Sequence, residues 1–408
     1  MKKKLVAMLA VVMTATVVLS GCGGKEEGKT ADGKTKIRFA SWDTAEDADV
    51  QQELVDKFNE SHDDIEVVLE AYGSEFDTKI AAGMGAGDTP DVMYMWNYPA
   101  YAAGLEELDS YIEEDGYKDE FYETLWDYNS LDGKVYGIPI GFTTHALFYN
   151  KDIFAEAGVA EPTNDWTWDD VKKAAKEITD KTGKKGFAFQ MKPDPYDYEM
   201  YLWSNDTAYC DEEGNLDGSL NSDKSKEVFS MFQDMEKDGY AAATEKSGTD
   251  EFLAGSIGMY VYGSWSISSF NEAGLNYGVV DIPAFAGASH DSVSILSSSG
   301  ISMSSTCKNK EAAWEFIKYW TSEEMNIERI GRELPVLKSV VESEGIMDQP
   351  EYTAFYTMLE QSSGYTPASF IIDEWSELSS NLSLSFERVF NPSTLEDAST
   401  VLDEAAEQ

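Results

Sequence analysis

The feature of this sequence that most constrains its fold is the regular alternation of short apolar segments with amphipathic segments. The early segments whose composition predicts strands are 36–40, 65–69 and 91–95. Those whose apolar spacing predicts helices are 49–58, 75–84 and 101–112. Strands that alternate with helices at this spacing predict βαβ units, with parallel strands and right-handed crossovers. The expected fold class is therefore α/β.

A second α/β pattern begins near Gly133. Its predicted strands are 135–140, 146–150, 186–191 and 256–262, and its clearest helices are 167–178 and 226–237. At the start of the first of these helices, Thr167 is placed to be the N-cap and Asp170 to cap back. Further helices are expected over 308–320, 375–389 and 395–406. A chain of 408 residues is long enough for two domains or lobes.

The first residues are predicted to serve targeting rather than folding. Three lysines at 2–4 precede an apolar run over 5–19, which has the length of a signal-peptide core and is short for a membrane span. The run ends in Leu-Ser-Gly-Cys, which resembles the bacterial lipobox and would make Cys22 a lipidation site. We therefore expect a lipoprotein signal peptide over 1–21 and a flexible tether over 22–35. The alternative is an ordinary secretory signal in which Cys22 is incidental.

Charge and cysteine content narrow the choice of partners. Residues 1–21 contain three lysines and no acidic residue, so their removal takes the formal net charge from −45 to −48. Such a charge opposes binding to nucleic acid and to anionic lipid. Apart from Cys22, the chain has only Cys210 and Cys307, which either pair or remain as separate thiols.

No sequence motif points to catalysis. The three histidines, His62, His145 and His290, form no H-E-x-x-H motif, and the chain has neither a G-x-S-x-G elbow nor a P-loop. His145 lies in an apolar stretch, which favours a core or hinge position over a general base. We expect no enzyme activity, no cofactor and no metal site.

Aromatic residues follow several predicted strands. Trp42 and Asp43 follow the first strand and Trp96 the third, whereas Tyr196, Trp203 and Trp265 belong to the second α/β pattern. Ligands of α/β proteins collect at the carboxyl ends of strands. Indole and phenol rings stack on the apolar faces of sugars, while polar side chains bind the hydroxyls. A single tryptophan is more often a core residue, but the set predicts a carbohydrate site.

Five stretches, in this order, resemble one protein family. They are 87–92, 136–140, 146–152, 259–265 and 308–314. Together with the lipobox-like segment, they are similar to the extracellular solute-binding proteins of sugar ABC importers, the group that includes maltodextrin-binding proteins. The resemblance implies a two-lobed periplasmic-binding-protein fold with hinge crossovers and a central ligand cleft. It implies a first lobe of 36–145 and 294–345, and a second lobe of 146–293 and 346–408 whose last helices pack near the cleft.

The resemblance also implies binding residues. By position, the candidates are Trp42, Asp43, Glu75, Trp96, Tyr196, Trp265 and Trp375. Thr143 stands where maltodextrin binders carry an acidic residue, which argues against maltodextrin itself but not against a carbohydrate. Arg332 is placed either in the cleft or on the surface.

The expected function is capture of a sugar or oligosaccharide by a monomeric protein that is lipid-anchored on the extracytoplasmic face of the membrane. The expected partners are the carbohydrate and the permease subunits of an ABC importer. One alternative is a lipid-anchored hydrolase that acts on glycans. The other is a binder of the same fold for a peptide or a polyamine, since the excess of acidic residues suits a cation.

Overall fold

The computed structural model describes residues 28–30, 32–116 and 118–408. The predicted signal peptide and Cys22 lie outside the described residues, as does half of the predicted tether. The strands of the described residues are β1 (Thr35–Ser41), β2 (Ile65–Ala71), β3 (Val92–Met95), β4 (Ser130–Leu131), β5 (Lys134–Val135), β6 (Ile138–Thr143), β7 (His145–Asn150), β8 (Lys185–Gln190), β9 (Ala241–Thr244), β10 (Ile257–Gly263), β11 (Tyr277–Val280) and β12 (Ser297–Met303).

Helices separate most of these strands. They are α1 (Ala45–Ser61), α2 (Phe76–Ala86), α3 (Tyr98–Tyr101), α4 (Asp109–Asp115), α5 (Glu123–Tyr128), α6 (Lys151–Ala157), α7 (Trp168–Thr182), α8 (Pro195–Trp203), α9 (Asp223–Lys237), α10 (Thr249–Leu253), α11 (Ile267–Glu272), α12 (Lys310–Trp320), α13 (Glu323–Glu328), α14 (Lys338–Ser343), α15 (Pro350–Gln361), α16 (Ala368–Ile371), α17 (Trp375–Phe390) and α18 (Ala398–Ala405). The cap predicted for α7 is confirmed, because the Asp170 carboxylate accepts a hydrogen bond from the backbone N–H of Thr167 at 3.0 Å.

The first sheet has the strand order β2-β1-β3-β12-β6. β1 is parallel to β2 and β3, whereas the late strand β12 is antiparallel to β3 and β6. Every residue of β3 is buried, as expected of a central strand covered on both faces. On one of these faces, Phe39 of β1 packs edge-on against Phe316 and Trp320 of α12.

The second sheet has the strand order β11-β7-β10-β8-β9. β8 is parallel to β9 and β10, and β7 is antiparallel to β10 and β11. Helices α7, α9 and α17 contribute Trp168, Phe232 and Phe386 to the core of this lobe. The chain therefore forms two α/β lobes, each with its own sheet.

The first connection between the two sheets is very short. β6 ends at Thr143 and β7 begins at His145, so that Thr144 alone separates strands of different sheets. Thr144 is buried, and its hydroxyl donates a hydrogen bond to the carbonyl of Phe355 at 2.8 Å. The chain returns to the first sheet in β12 and crosses again before α15, which packs against β7 and β11 of the second lobe.

The predicted helix over 101–112 is wrong. α3 ends at Tyr101, and the next helix, α4, begins only at Asp109. Between them Leu105 is extended, with φ −103° and ψ 156°, and it forms an antiparallel bridge with Ser304. This pairing with a segment late in the chain overrides the local helical periodicity.

The two remaining cysteines do not pair. Cys210 and Cys307 are free, buried thiols that belong to the cores of different lobes. In the part of the chain that the structure describes, no helix combines the length and the apolar character that a membrane span requires.

Candidate ligand-binding cleft

A cavity of about 420 Å³ lies between the two lobes. Its walls follow the ends of β1, β3 and β6 in the first lobe and of β10 in the second, as expected for a ligand site of an α/β protein. Its volume falls in the range of small-molecule sites. The residues that line it are Trp42, Gly73, Ser74, Phe76, Asp77, Trp96, Phe142, Thr143, Ser264, Trp265, Ser297, Ser298, Ser299, Arg332 and Glu333.

Trp96 presents an open indole face to the cleft. It directly follows β3, and 43% of its surface is exposed although the strand before it is buried. Its Nε1–H donates a hydrogen bond to Oδ1 of Asp77, in the first turn of α2, at 3.2 Å. This bond fixes the ring plane while leaving the face free for a ligand.

Trp42 forms the inner part of the same wall. It follows β1 and is half-buried, with its ring centroid 5.3 Å from that of Phe76 and 4.8 Å from that of Tyr94. Its neighbour Asp43 is not among the residues that line the cleft, because its carboxylate is turned back toward α1, where it accepts a hydrogen bond from Gln51. Burial raises the pKa of Asp43 above its usual range.

Trp265 stands on the second lobe and is 48% exposed. Its ring packs edge-on against the rings of Tyr262 and His145, with distances between ring centroids of 4.9 Å and 5.5 Å. Gly263 makes this placement possible, since a Cβ there would come within 2.1 Å of the indole. His145 is buried, and burial lowers its pKa to about 4, so the imidazole is neutral at pH 7. It acts as a packing surface for Trp265.

Hydroxyl groups line the floor of the cleft near the hinge. The hydroxyls of Thr143 and Ser264 lie 3.0 Å apart and form a hydrogen bond that joins the two lobes. Ser297, Ser298 and Ser299 open β12, and the Ser298 hydroxyl donates to the carbonyl of Gly141 at 3.2 Å. A sugar in the cleft would meet neutral donors and acceptors here.

Two adjacent charged residues complete the lining. The Nε of Arg332 lies 3.1 Å from Oδ1 of Asp47 in α1, and both side chains are exposed at the rim. Glu333 reaches further in, toward Arg329. Burial raises the pKa of Glu333 to about 7. The structure thus places Arg332 at the cleft rather than on a distant surface.

The structure brings Trp42, Trp96, Thr143, Trp265 and Arg332 together, but it places four other candidates elsewhere. Glu75 is exposed at the start of α2 and pairs with Lys79. The hydroxyl of Tyr196 donates a hydrogen bond to the carbonyl of Leu296 at 2.7 Å. This bond holds Tyr196 beside the crossover that leads into β12. Trp203 is buried beside Tyr365, and Trp375 packs near Tyr209 in the second-lobe core.

Sequence reasoning missed several lining residues. Neither Asp77 nor Glu333 carries a signal of its own among so many acidic residues, although Glu333 directly follows Arg332. The run Ser297–Ser299 offered a usable signal, because three small hydroxyl residues follow closely on the predicted return to the first lobe at residue 294. The described lining combines indole faces with hydroxyls and carboxylates.

Two α/β lobes, hinge crossovers between them and a cleft lined from both sides define a periplasmic-binding-protein fold, as predicted. A sequence model of the bacterial extracellular solute-binding protein family matches residues 53–354, and the chain belongs to this family. The family places the folded body outside the cytoplasm. Its relatives are named as binding proteins, not as enzymes.

Individual relatives and structures agree with this assignment. The galactooligosaccharide-binding protein of Bacillus subtilis is 26% identical over 365 residues, which are 85% of this chain and 83% of that protein. An ABC substrate-binding protein from Listeria monocytogenes, solved in complex with cycloalternan, superimposes with a TM-score of 0.75 at 26% identity and covers 92% of this chain and 97% of its own. The sugar-binding protein MalE of Xanthomonas citri gives a TM-score of 0.78 at 21% identity and covers 91% and 96%, which shows the shared fold.

Proposed function

We propose that this protein captures a sugar or oligosaccharide outside the cell and delivers it to the permease of an ABC importer. The observation that carries the proposal is the convergence of Trp42, Trp96 and Trp265, from both lobes, on one cleft that also holds hydroxyl and carboxylate groups. The names of relatives support it, since they include galactooligosaccharide-, arabinooligosaccharide- and maltotriose-binding proteins.

Capture proceeds by closure of the lobes. Trp96 belongs to the first lobe and Trp265 to the second, so that a ligand in contact with both favours the state in which they approach each other. The closed form then presents a joint surface of both lobes to the permease. A binding-induced decrease in the radius of gyration, measured by small-angle X-ray scattering, is the expected signature.

The first experiment is a ligand screen. Galactooligosaccharides, arabinooligosaccharides and maltotriose are added to the purified protein, and the midpoint of thermal unfolding is recorded, followed by calorimetry of each positive sugar. A ligand that binds only the folded state raises the midpoint. Failure of every mono- and oligosaccharide to shift it, with a shift by a peptide or a polyamine instead, would contradict the proposal.

Two controls separate the alternatives. Chromatography of the sugar after long incubation with the protein should show no shortened product, whereas a hydrolase would release fragments. Affinity for a neutral sugar should change little between low and high salt, whereas binding of a polyamine to this acidic protein should collapse as salt rises.

Anchoring through Cys22 is a further part of the proposal and is supported by the lipobox-like sequence that precedes it. The wild-type protein expressed in a bacterial host should sediment with membranes and incorporate labelled fatty acid. The variant Cys22→Ala should lose the label and appear in the soluble extracytoplasmic fraction. Unlabelled wild-type protein would instead indicate an ordinary secretory signal.

A further inference from the structure

Glu333 occupies an unusual place in the cleft. It lines the cavity, and its side chain is 25% exposed, while its Oε2 atom is buried. That oxygen forms an ion pair with Arg329, whose Nε lies 3.3 Å away. The other oxygen, Oε1, is not enclosed in this way, so it is the acceptor that a ligand in the cavity can reach.

Hydrogen bonds to two backbone carbonyls hold the Arg329 guanidinium in place, so it does not turn into the cleft. Arg329 is 5% exposed, and its guanidinium donates hydrogen bonds to the carbonyls of Trp320, at 2.8 Å, and Ile140, at 3.4 Å. Gly141 leaves room for the carboxylate, since a Cβ there would come within 2.8 Å of Glu333 Oε2. Gly141 on one side and the fixed arginine on the other therefore enclose Oε2, so that the carboxylate presents its other oxygen, Oε1, to the ligand space.

The charges around the cleft favour the same kind of ligand. The ionisable lining residues are Asp77, Arg332 and Glu333, and the only cation among them is already paired with Asp47 at the rim. The amino end of α2 also faces the cleft and would attract an anion, but Asp77 in its first turn supplies negative charge there. A sugar that carries a carboxylate or a phosphate would meet repulsion.

We propose that Glu333 is a specificity-determining residue, which accepts hydrogen bonds from the hydroxyls of an uncharged sugar and excludes sugars that carry a carboxylate or a phosphate. This inference rests on the proposed function, because it names the class of sugar that the same cleft takes. It also assigns the role to a residue outside the aromatic set.

A pH dependence follows from the surroundings of Glu333. The charged and titratable groups that face it are Arg329, Asp43 and Tyr94, with Arg332 next to it in the chain. Burial raises the pKa of its carboxyl to about 7, while Arg329 lowers it and Asp43 raises it. Sugar hydroxyls that donate to the ionised carboxylate draw this pKa down. Binding therefore releases a proton, and affinity for a neutral sugar increases from pH 6 to pH 8.

The test compares neutral sugars with their acidic counterparts. The probes are galactobiose and maltotriose, each paired with the same sugar oxidised at C6 to the uronic acid. Calorimetry on the wild-type protein should show tighter binding of the neutral sugar. Glu333→Gln should weaken that binding about tenfold and narrow the preference over the acidic sugar by at least about tenfold, because it removes both a charged acceptor and the repulsion.

Two variants separate the effect of the charge at position 333 from other effects. One changes the length of the side chain, and the other changes the net charge of the protein elsewhere. Glu333→Asp should keep the rejection of the oxidised probes while still losing affinity for the neutral ones. Glu342→Gln removes an exposed acid of the nearby helix α14 and should change neither affinity. Circular dichroism checks that each variant is folded, and the rise in affinity from pH 6 to pH 8 should disappear in Glu333→Gln.

Three results would decide against the inference. Equal or tighter binding of the oxidised probes to the wild-type protein would overturn it. So would an unchanged preference in folded Glu333→Gln, even with neutral sugars bound well, which would leave the proposed function intact. Failure of every sugar, neutral and oxidised, to bind the wild-type protein would overturn the proposed function and this inference together.

Discussion

At the scale of single residues, Trp265 combines a free face with a fixed ring. About half of its surface is exposed, yet Tyr262 and His145 hold its edges. A ligand that covers the free face gains contact without first having to order the side chain, which keeps the entropic cost of binding low. Trp96, which is fixed by its hydrogen bond to Asp77, has the same property on the opposite wall.

The first prediction concerns Trp265→Ala. We expect the affinity for the bound sugar to fall at least about tenfold, because a stacked aromatic contributes about 1 kcal/mol beyond its buried area. The free energy of unfolding should change little, since much of the ring is already exposed. Calorimetry and urea denaturation measure the two quantities.

The matched control is Trp166→Ala, a partly exposed tryptophan of the second lobe that does not line the cleft. Its affinity should equal that of the wild-type protein. Equal loss of affinity in both variants would show that the effect of Trp265→Ala is general rather than local.

What the sequence predicts at this scale depends on how a residue reaches the cleft. Trp42, Trp96 and Trp265 each follow a strand that local composition reveals, so their convergence was predictable. Glu333 was not, because it enters the cleft from a loop near the end of the first lobe. Trp203 and Trp375 carry the same aromatic signal but pack beside Tyr365 and Tyr209, and composition does not distinguish a buried indole from an exposed one.

At the scale of elements, the turn after β10 sets the position of one wall. Gly263 ends the strand, and a short 3-10 turn over Ser264–Ser266 then carries Trp265. The indole folds back over the backbone of Gly263, so close that no side chain fits between them. The turn and the ring therefore form one packed unit.

The second prediction is that Gly263→Ala weakens sugar binding although residue 263 does not line the cleft. The added methyl group would overlap the indole of Trp265, so the ring must shift. Calorimetry should show reduced affinity, and tryptophan fluorescence should report a changed environment. Gly85→Ala in α2 is the control, because a Cβ there meets no neighbour. It should leave affinity unchanged and stabilise the protein by about 0.5–1 kcal/mol.

The third prediction concerns the amino end of α7. The Asp170 carboxylate accepts hydrogen bonds from both the backbone N–H and the hydroxyl of Thr167, at 3.0 and 2.9 Å. Asp170→Ala should therefore lower the free energy of unfolding by about 1 kcal/mol. Asp169→Ala removes an ion pair with Lys172 and one acidic group of the first turn but no cap hydrogen bond, so it should cost less than Asp170→Ala. Equal losses in urea denaturation would argue against the cap.

Elements were predictable where the local pattern decides them. α7 and α17 begin close to where the pattern places them, because cap residues and apolar spacing act within a single helix. The segment 101–112 was not predictable, since Leu105 pairs with Ser304, a partner late in the chain. The order of strands in each sheet likewise depends on crossovers that the local sequence does not encode.

At the scale of the whole molecule, stability should depend on pH. Burial raises the pKa of Glu199 to about 8, of Glu333 and Asp197 to about 7, and of Asp281 to about 6. In the unfolded chain these carboxyls lose their protons near pH 4, so at higher pH the folded state binds more protons than the unfolded state. His145 has the opposite sign, but its lowered pKa matters only between about pH 4 and 6.5.

The fourth prediction is therefore that the free energy of unfolding decreases from pH 6.5 to pH 8, as measured by urea denaturation. Glu199→Gln should flatten this dependence, because it removes the buried acid whose pKa is raised most among these groups. The exposed acid Glu212 provides the control, and Glu212→Gln should leave the slope unchanged. A free energy of unfolding that increases from pH 6.5 to pH 8 in the wild-type protein would contradict the assignment of protonated buried acids.

Thr144, the single residue between β6 and β7, limits how the lobes can move. With its hydroxyl tied to Phe355, the linker is too short and too firmly held for one lobe to slide past the other. The lobes can pivot, so the gap between Trp96 and Trp265 narrows while their lateral alignment is preserved. A ligand must therefore fit between two walls whose alignment is fixed. The cleft selects ligands by their thickness and shape.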